Sequence, residues 1–294
     1  MTIIDRPEEG TMNDVRSLAK LRSHGLHAPT RADLRRALWL GTTEDVDALW
    51  ERACADAEVP AHQPVLGLEE LDSVARALVA MGGLPSLAGR AQLVRIAAYR
   101  EIAARGSDAP APAWDWARSA MDTLLKDRSP RFERLDEVIS LDPFADELRV
   151  ELNQAAARIA QRLGTALGGV SIVLDGAQCY VGRYGGDHTW SAEAGGTPIE
   201  WSYCATSVRT REPYVVPDAS TDVLHRVNPT SVRDGVRSYA GAPLVTSSGE
   251  VLGNCCVVDV TPRDFTDDDV AVLVEEAAAI VADLERRREE RRAG

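Results

Sequence analysis

The residues of this chain best suited to chemistry are three thiols and a few polar side chains in its second half. Cys204, Cys255 and Cys256 are the redox candidates. A thiolate is nucleophilic and oxidisable, and two thiols within reach of each other can close to a disulfide. Cys255 and Cys256 are neighbours in VLGNCCVVDV, a run that reads as a strand. Successive strand residues point to opposite faces, so one of the two is expected to face a helix layer and the other the far side of the sheet. A bridge between them would strain the peptide, whereas a pair between Cys204 and one of them stays open to geometry. Burial without chemistry stands beside both readings, because free Cys packs well as a small apolar residue.

Asp218, Arg237, Tyr239 and Asp259 are the polar residues expected near a binding pocket. Arg237 offers a bidentate clamp for a carboxylate or phosphate. Tyr239 offers a ring to stack on and a hydroxyl to donate. The structural alternatives are equally definite. Asp218 can cap the loop that follows it, and Arg237 can pair with Asp259 near the strand ends. His188, His225 and the three N-terminal histidines show no metal-ligand spacing, and the chain has no HExxH, CxxC or GxxxxGK[ST] motif. GRYGGD at 182–187 does not run from a strand into a helix, so it reads as a hairpin or lid loop rather than a nucleotide fingerprint.

These residues must be held by elements that the sequence also outlines. Positions 1–12 form a polar tail, and 13–140 form an all-helical module. Thr30 with Asp33 makes a capping-box-like start for RADLRRALWL. LEELDSVARALVAM follows and stops at Gly82-Gly83. LAGRAQLVRIAAYREIAARG is the third helix, opened by Pro85 and Ser86. SDAPAPA reads as a linker, and WDWARSAMDTLLKD and RFERLDEVISL as shorter helices. Trp114 and Trp116 lie two apart, so they do not share a helix face, and one is expected at a domain interface.

Over 141–290 the texture changes. Asp142 and Pro143 are expected to cap a helix carrying Phe144, Leu148, Leu152, Ala155, Ile159 and Leu163 at helical spacing. GVSIVLDG and AQCYVGRYG read as two strands, followed by a Gly-rich loop with Trp190. Then come a short helix, IEWSYCATSVRTR, a strand in EPYVVPDA, and a loop with at most one helical turn. VRSYAGAPLVT and VLGNCCVVDV form a hairpin. Thr266 caps a last helix, in which Leu273, Ala277, Ile280 and Leu284 make one stripe. That stripe either covers the sheet or forms half of a parallel dimer seam, with ERRREERR as its solvated end. Strands bracketed by terminal helices define an α+β domain with an antiparallel sheet.

Residues 199–269 resemble a GAF domain, with six pieces in order. These are WSYC at 201–204, YVVPDAS at 214–220, VNP at 227–229, GVRSYAGAPL at 235–244, VLGNCCVVD at 251–259 and TPRDFTDDD at 261–269. The resemblance implies an antiparallel sheet of about six strands with helices on one face and a small-molecule pocket on the other. It adds Trp201 and Cys204 to the candidate pocket. GAF domains bind cyclic nucleotides, haem, bilins and small metabolites, and some bind nothing and serve as dimer struts, so the cofactor stays unknown. The implied function is a regulatory sensor of a ligand or of redox state, acting through helix packing or a homodimer of the flanking helices. The alternatives are an interaction protein with an unused pocket and a thiol enzyme similar to the free methionine-(R)-sulfoxide reductases. The helical module resembles no family, and a protein partner for it is an expectation.

Composition is consistent with this. A formal charge of -13 argues against a general nucleic-acid surface, which needs a basic footprint. No apolar run reaches the length of a membrane span, and MTIIDRPEEG lacks a signal-peptide pattern, so the expected location is the cytoplasm. Five cysteines without framework spacing fit free thiols.

Overall fold

A computed structural model of the chain describes residues 28–41, 44–104 and 131–294. The expected tail, the SDAPAPA linker and the WDWARSAMDTLLKD helix with Trp114 and Trp116 lie outside the described residues. Thr30 and Asp33 do form a reciprocal cap. The Thr30 amide donates to Asp33 Oδ2 at 2.8 Å, and the Asp33 amide donates to Thr30 Oγ1 at 3.3 Å. They open α1 (Arg31–Gly41), followed by α2 (Val46–Asp56), α3 (Leu68–Ala80) and α4 (Gly83–Ala104). Leu34, Leu38, Trp50, Leu71, Val74, Leu78 and Ile96 bury one core among these helices. α4 starts two residues before Pro85, which sits in the first turn, where its missing N–H costs no helical bond.

α5 (Arg131–Leu141) leads to the first correction. Asp142 does not cap the next helix. Its amide donates to Val138 O at 3.0 Å and its φ is +49°, so it closes α5. A 3-10 turn over Asp146–Leu148 intervenes, and α6 runs Arg149–Leu163. Leu148, Leu152, Ala155, Ile159 and Leu163 are buried as the spacing requires. α6 ends at Gly164 with φ +63°, a left-handed position that glycine adopts without steric penalty.

The sheet has six strands: β1 (Leu167–Val173), β2 (Ala177–Tyr184), β3 (Gly196–Pro198), β4 (Tyr214–Val216), β5 (Ser238–Val245) and β6 (Val251–Asp259). Their order is β3-β2-β1-β6-β5-β4, and every neighbouring pair is antiparallel. β3 has no counterpart among the expected strands. Between the strands lie α7 (Trp190–Glu193), α8 (Cys204–Thr210) and α9 (Pro229–Arg233), and α10 (Asp267–Ala293) closes the fold. Trp190, expected in a loop, opens α7 and is buried.

Strand alternation divides the sheet into two chemically different faces. Val170, Ile172, Cys179, Val181, Ala240, Ala242, Cys255 and Val257 face α5, α6 and α10 in one apolar core. Leu273, Ala277, Ile280 and Leu284 of α10 belong to that core, so the stripe is spent on the chain's own sheet. Each buried Leu or Ile there contributes about 1.5–3 kcal/mol. The basic end of α10 is not merely solvated. Arg288 Nη1 donates to Glu137 Oε1 at 2.8 Å, Arg287 pairs with Glu151, and Arg291 Nη2 donates to Ser140 O and Leu141 O at 3.1 Å. These long side chains reach sideways to α5 and α6.

The helical module and the sheet also share interior. Leu87, Ala91 and Val94 of α4, and Leu135, Val138 and Leu141 of α5, lie in the same core as the strands. Further along α4, Ala98, Tyr99 and Ile102 pack with Trp190 and Trp201. Arg95 Nη1 fixes this contact by donating to Gly176 O at 3.1 Å and to Glu200 Oε2 at 2.8 Å. Among the described residues, no helix is long and apolar enough to cross a membrane.

Candidate functional site

The other face of the sheet is polar and aromatic. Gly169 and Ser171 of β1, Gln178 and Tyr180 of β2, Tyr239 and Gly241 of β5, and Asn254 and Cys256 of β6 alternate with the core-facing residues. α7, α8, α9 and their connections cover this face and leave a hollow of about 100 Å³ between cover and sheet. At about 10–15 Å³ for each enclosed water, that is room for several waters or a small metabolite.

Trp201, Tyr203, Cys204, Tyr180, Tyr239 and Cys256 line the hollow. Trp201 and Tyr203 come from the segment that joins β3 to α8, and Cys204 opens α8. That segment is held in place by its own backbone and by α9. Asn228 Nδ2 donates to Trp201 O at 2.9 Å, and the Ala205 amide donates to Ser202 Oγ at 3.0 Å. Ser202 Oγ in turn donates to Gln178 Oε1. Gly185 and Gly186, from the GRYGGD loop, form part of the rim.

Charge is sparse within the hollow. Asp234 accepts from the Trp190 amide at 3.1 Å and from Ser191 Oγ at 2.8 Å. Arg183, at the rim, pairs with Asp187 at 3.1 Å. One polar group is unanswered: the hydroxyl of Thr197 is 3% exposed, lines the hollow and has no hydrogen-bond partner. A buried unsatisfied group of this kind costs about 1–3 kcal/mol.

The sulfurs are placed unequally. Cys204 Sγ and Cys256 Sγ lie 3.9 Å apart on the wall of the hollow. Tyr239 Oη faces Cys204 Sγ at 3.2 Å and Asn254 Oδ1 at 3.4 Å, and can donate its one proton to either. Burial alone would raise the Cys204 thiol, but hydrogen bonds from Cys256, Ser171, Tyr239 and Gln178 outweigh it and leave it below the ordinary value. Cys256 moves the other way and is held well above, first by its contact with Cys204 and then by burial. Cys255 points into the helix-facing core, where its thiol donates to Leu273 O at 3.2 Å. The two neighbours therefore do face opposite sides. Gly241 is what admits the Tyr239 hydroxyl, since a Cβ there would lie 2.3 Å from Tyr239 Oη and 2.4 Å from Asn254 Oδ1.

Three of the polar residues expected at the pocket lie elsewhere. Asp218, Arg237 and Asp259 are not among the lining residues. Arg237 Nε donates to Asp218 Oδ1 at 3.1 Å, and Asp218 also accepts from the Ser220 amide at 3.0 Å, which makes it the cap of its loop. Hydrogen bonds from Arg237 and Ser220 hold the Asp218 carboxyl down to about 2. Arg237 meets Asp259 only through the backbone, its amide donating to Asp259 O at 2.8 Å. The side chain of Asp259 accepts instead from the Val260 amide at 2.7 Å. The strand-end positions of these residues turn their charges toward the connections and away from the hollow.

Ser171, Gln178, Tyr180, Thr197 and Tyr203 are residues of this face that carry no chemical motif in the sequence. For Ser171, Gln178 and Tyr180 the signal was present, because the alternation in GVSIV and AQCYV puts them opposite the apolar residues. Beside the hollow, Tyr203 stacks on Tyr239 with centroids 5.0 Å apart and on His225 at 3.8 Å. His225 Nε2 meets Tyr214 Oη at 3.0 Å. Burial drives the His225 imidazole down to about 4, against a smaller opposing pull from Asp222.

Residues 151–283 match the family model described as GAF domain. A cyclic di-GMP phosphodiesterase from Pseudomonas aeruginosa is 32% identical over 159 residues, which are 53% of this chain and 26% of that protein. The chain thus spans about a quarter of that relative's length. Among solved structures, the GAF domain of a phosphoenolpyruvate-protein phosphotransferase from Coxiella burnetii is 18% identical with a TM-score of 0.42, covering 59% of this chain and 97% of that one. The second GAF domain of DevS from Mycobacterium smegmatis is 17% identical with a TM-score of 0.39, covering 49% of this chain and 98% of that one.

Proposed function

The C-terminal half of this protein is a GAF domain, a sensory and regulatory fold, and from that premise we propose that it senses a small molecule bound in the hollow over the sheet. The observation that carries this reading is the unpartnered Thr197 hydroxyl, opening on a cavity walled by Trp201, Tyr180, Tyr203 and Tyr239. A ligand that hydrogen-bonds Thr197 and lies among these rings relieves a standing cost and buries its own apolar surface. Asp234 and Arg183 already have partners, so the ligand favoured is small and uncharged, with a flat or apolar body and one polar group. The likeness to a cyclic di-GMP phosphodiesterase supports a place in signalling.

The signal leaves through α4. Trp201 borders the hollow and also packs with Tyr99 and Ile102 of that helix, so a ligand that shifts Trp201 shifts the helical module. Such coupling requires that the ligand favour one of two arrangements of that contact. In this reading the protein works in the cytoplasm. A homodimer, if formed through the flanking helices, uses the outer sides of α6 and α10, where Val150 and Val274 are exposed. Sedimentation velocity on the full chain tests the dimer.

Native mass spectrometry of the freshly purified full chain, with thermal-shift screening against small uncharged metabolites, tests the ligand. A bound species is expected that Thr197→Val weakens about tenfold, the worth of one good hydrogen bond. If nothing co-purifies and no compound raises the melting temperature, the reading fails, and the hollow is an unused one in a domain that serves packing alone.

A further inference from the structure

Two of the five cysteines differ from the rest in position. Cys54, Cys179 and Cys255 are buried in apolar cores. Cys204 and Cys256 instead line the hollow, with sulfurs 3.9 Å apart on α8 and β6. We propose that Cys204 and Cys256 form a redox pair that reacts with a hydroperoxide entering the hollow and closes to a disulfide.

The surroundings assign the two roles. Tyr239 Oη stands 3.2 Å from Cys204 Sγ and can donate to it, and Ser171, Gln178 and Cys256 add further donors around the same sulfur. A sulfur surrounded by donors is stabilised as the thiolate, which is the attacking form. Cys256 Sγ has no such contact with the Tyr239 hydroxyl, and its burial beside Cys204 keeps its proton on. Gly169 has no side chain, and a Cβ there would lie 3.3 Å from Cys256 Sγ, so the residue opposite leaves that sulfur room to turn.

The chemistry balances in two steps. The Cys204 thiolate attacks the distal oxygen of the hydroperoxide; a sulfur–oxygen bond forms and the oxygen–oxygen bond breaks. Cys204 becomes a sulfenic acid, and the departing alkoxide or hydroxide takes a proton from solvent. Cys256 then gives up its proton and attacks the Cys204 sulfur. The sulfur–sulfur bond forms, the sulfur–oxygen bond breaks, and the hydroxide leaves with that proton as water. The sum is two thiols and one hydroperoxide giving a disulfide, an alcohol or water, and one further water. Closing the bond brings the sulfurs from 3.9 Å to about 2 Å. It ties α8 to β6 and removes the thiolate acceptor, leaving Asn254 Oδ1 to take the Tyr239 hydroxyl. The pair shares the hollow with the proposed ligand, but its chemistry does not depend on that ligand.

The test uses the reduced full chain, treated with hydrogen peroxide, then denatured and blocked with N-ethylmaleimide. Intact mass and peptide mapping are expected to find two hydrogens lost, two fewer blocked thiols, and one linked peptide pair holding Cys204 and Cys256. Cys256→Ser is expected to accumulate a dimedone-reactive sulfenic acid at Cys204. Cys204→Ser is expected to lose thiols to peroxide at least about tenfold more slowly than the parent, as befits removal of the nucleophile. The proposal is overturned if every thiol of the parent stays blockable, or if the linked pair is a different one. The parent's own peptide map decides this even if a variant does not fold. Native mass of the reduced protein reads ligand separately, so a retained ligand without the disulfide removes only the thiol chemistry, and the disulfide without a ligand removes only the ligand.

Discussion

The indole rings of Trp190 and Trp201 meet edge to face, with centroids 5.6 Å apart and planes at 90°. Trp201 borders the hollow, and both rings pack with Tyr99 and Ile102 of α4, so this pair joins the hollow to the helical module. Trp201→Ala should lower stability by about 3–5 kcal/mol, the usual cost of emptying a large buried aromatic site. Trp201→Phe should cost less and keep the fold. Urea titration measures both, and hydrogen exchange should find faster exchange in α4 around Ala98–Ile102. Unchanged exchange there would mean the bridge carries no coupling.

Gly241→Ala tests the setting of Tyr239. The added methyl meets the tyrosine hydroxyl and Asn254 Oδ1, so one of them must move. The variant should lose about 1–3 kcal/mol, as overpacking does. Its Cys204 thiol should also titrate at higher pH than the parent's, because one donor has been displaced. Ultraviolet thiolate absorbance against pH reads that change, and an unaltered titration would show that Tyr239 does not set the sulfur's charge.

His225 makes stability depend on pH in a defined direction. Its folded value is depressed to about 4, against about 6.5 in an unfolded chain. Above the unfolded value both states are neutral and the contribution is complete. Below it the unfolded chain takes up the proton first, so stability falls until the pH reaches the folded value. Between about pH 7 and about pH 5 this should remove roughly 2 kcal/mol. Comparing urea midpoints of the parent and His225→Gln isolates the effect: the parent should have the steeper loss, and equal slopes would contradict the burial of a neutral imidazole.

Arg237 and Asp218 should matter little to the ligand. Their pair is solvent-accessible and lies outside the hollow, so Arg237→Gln should leave the urea midpoint nearly unchanged. Asp259→Asn should leave any ligand affinity within about twofold, since it removes no contact in the hollow and a tenfold loss corresponds to about 1.4 kcal/mol. A large affinity loss in either variant, measured by titration calorimetry, would extend the site to the strand ends.

Much of this architecture is legible in the chain because its signals are local. Strand alternation and the Thr266 cap each depend on a few neighbouring residues, and each is found where the pattern puts it. The Thr266–Asp269 pair is a reciprocal cap, with amide–oxygen distances of 2.9 and 3.2 Å. What escapes is non-local or very short. β3 is three residues with no alternation to detect, and exists because β2 pairs with it. Asp142 and Pro143 look like a helix start in isolation, yet the preceding helix claims Asp142. Arg237 and Asp218 are 19 residues apart, and nothing in either neighbourhood says that they satisfy each other. Cys204 and Cys256 are distant in sequence too, and only the crossing of α8 over β6 brings their sulfurs together.

β3 is an outermost strand of the sheet, and α4 packs along it and β2. An uncovered strand edge is a template on which a second chain can extend the sheet. The long helix packed beside that edge is expected to hinder such extension. A fragment trimmed to the sheet-bearing half would display that open border, and its tendency to clump in concentrated solution would measure how much protection the helix provides.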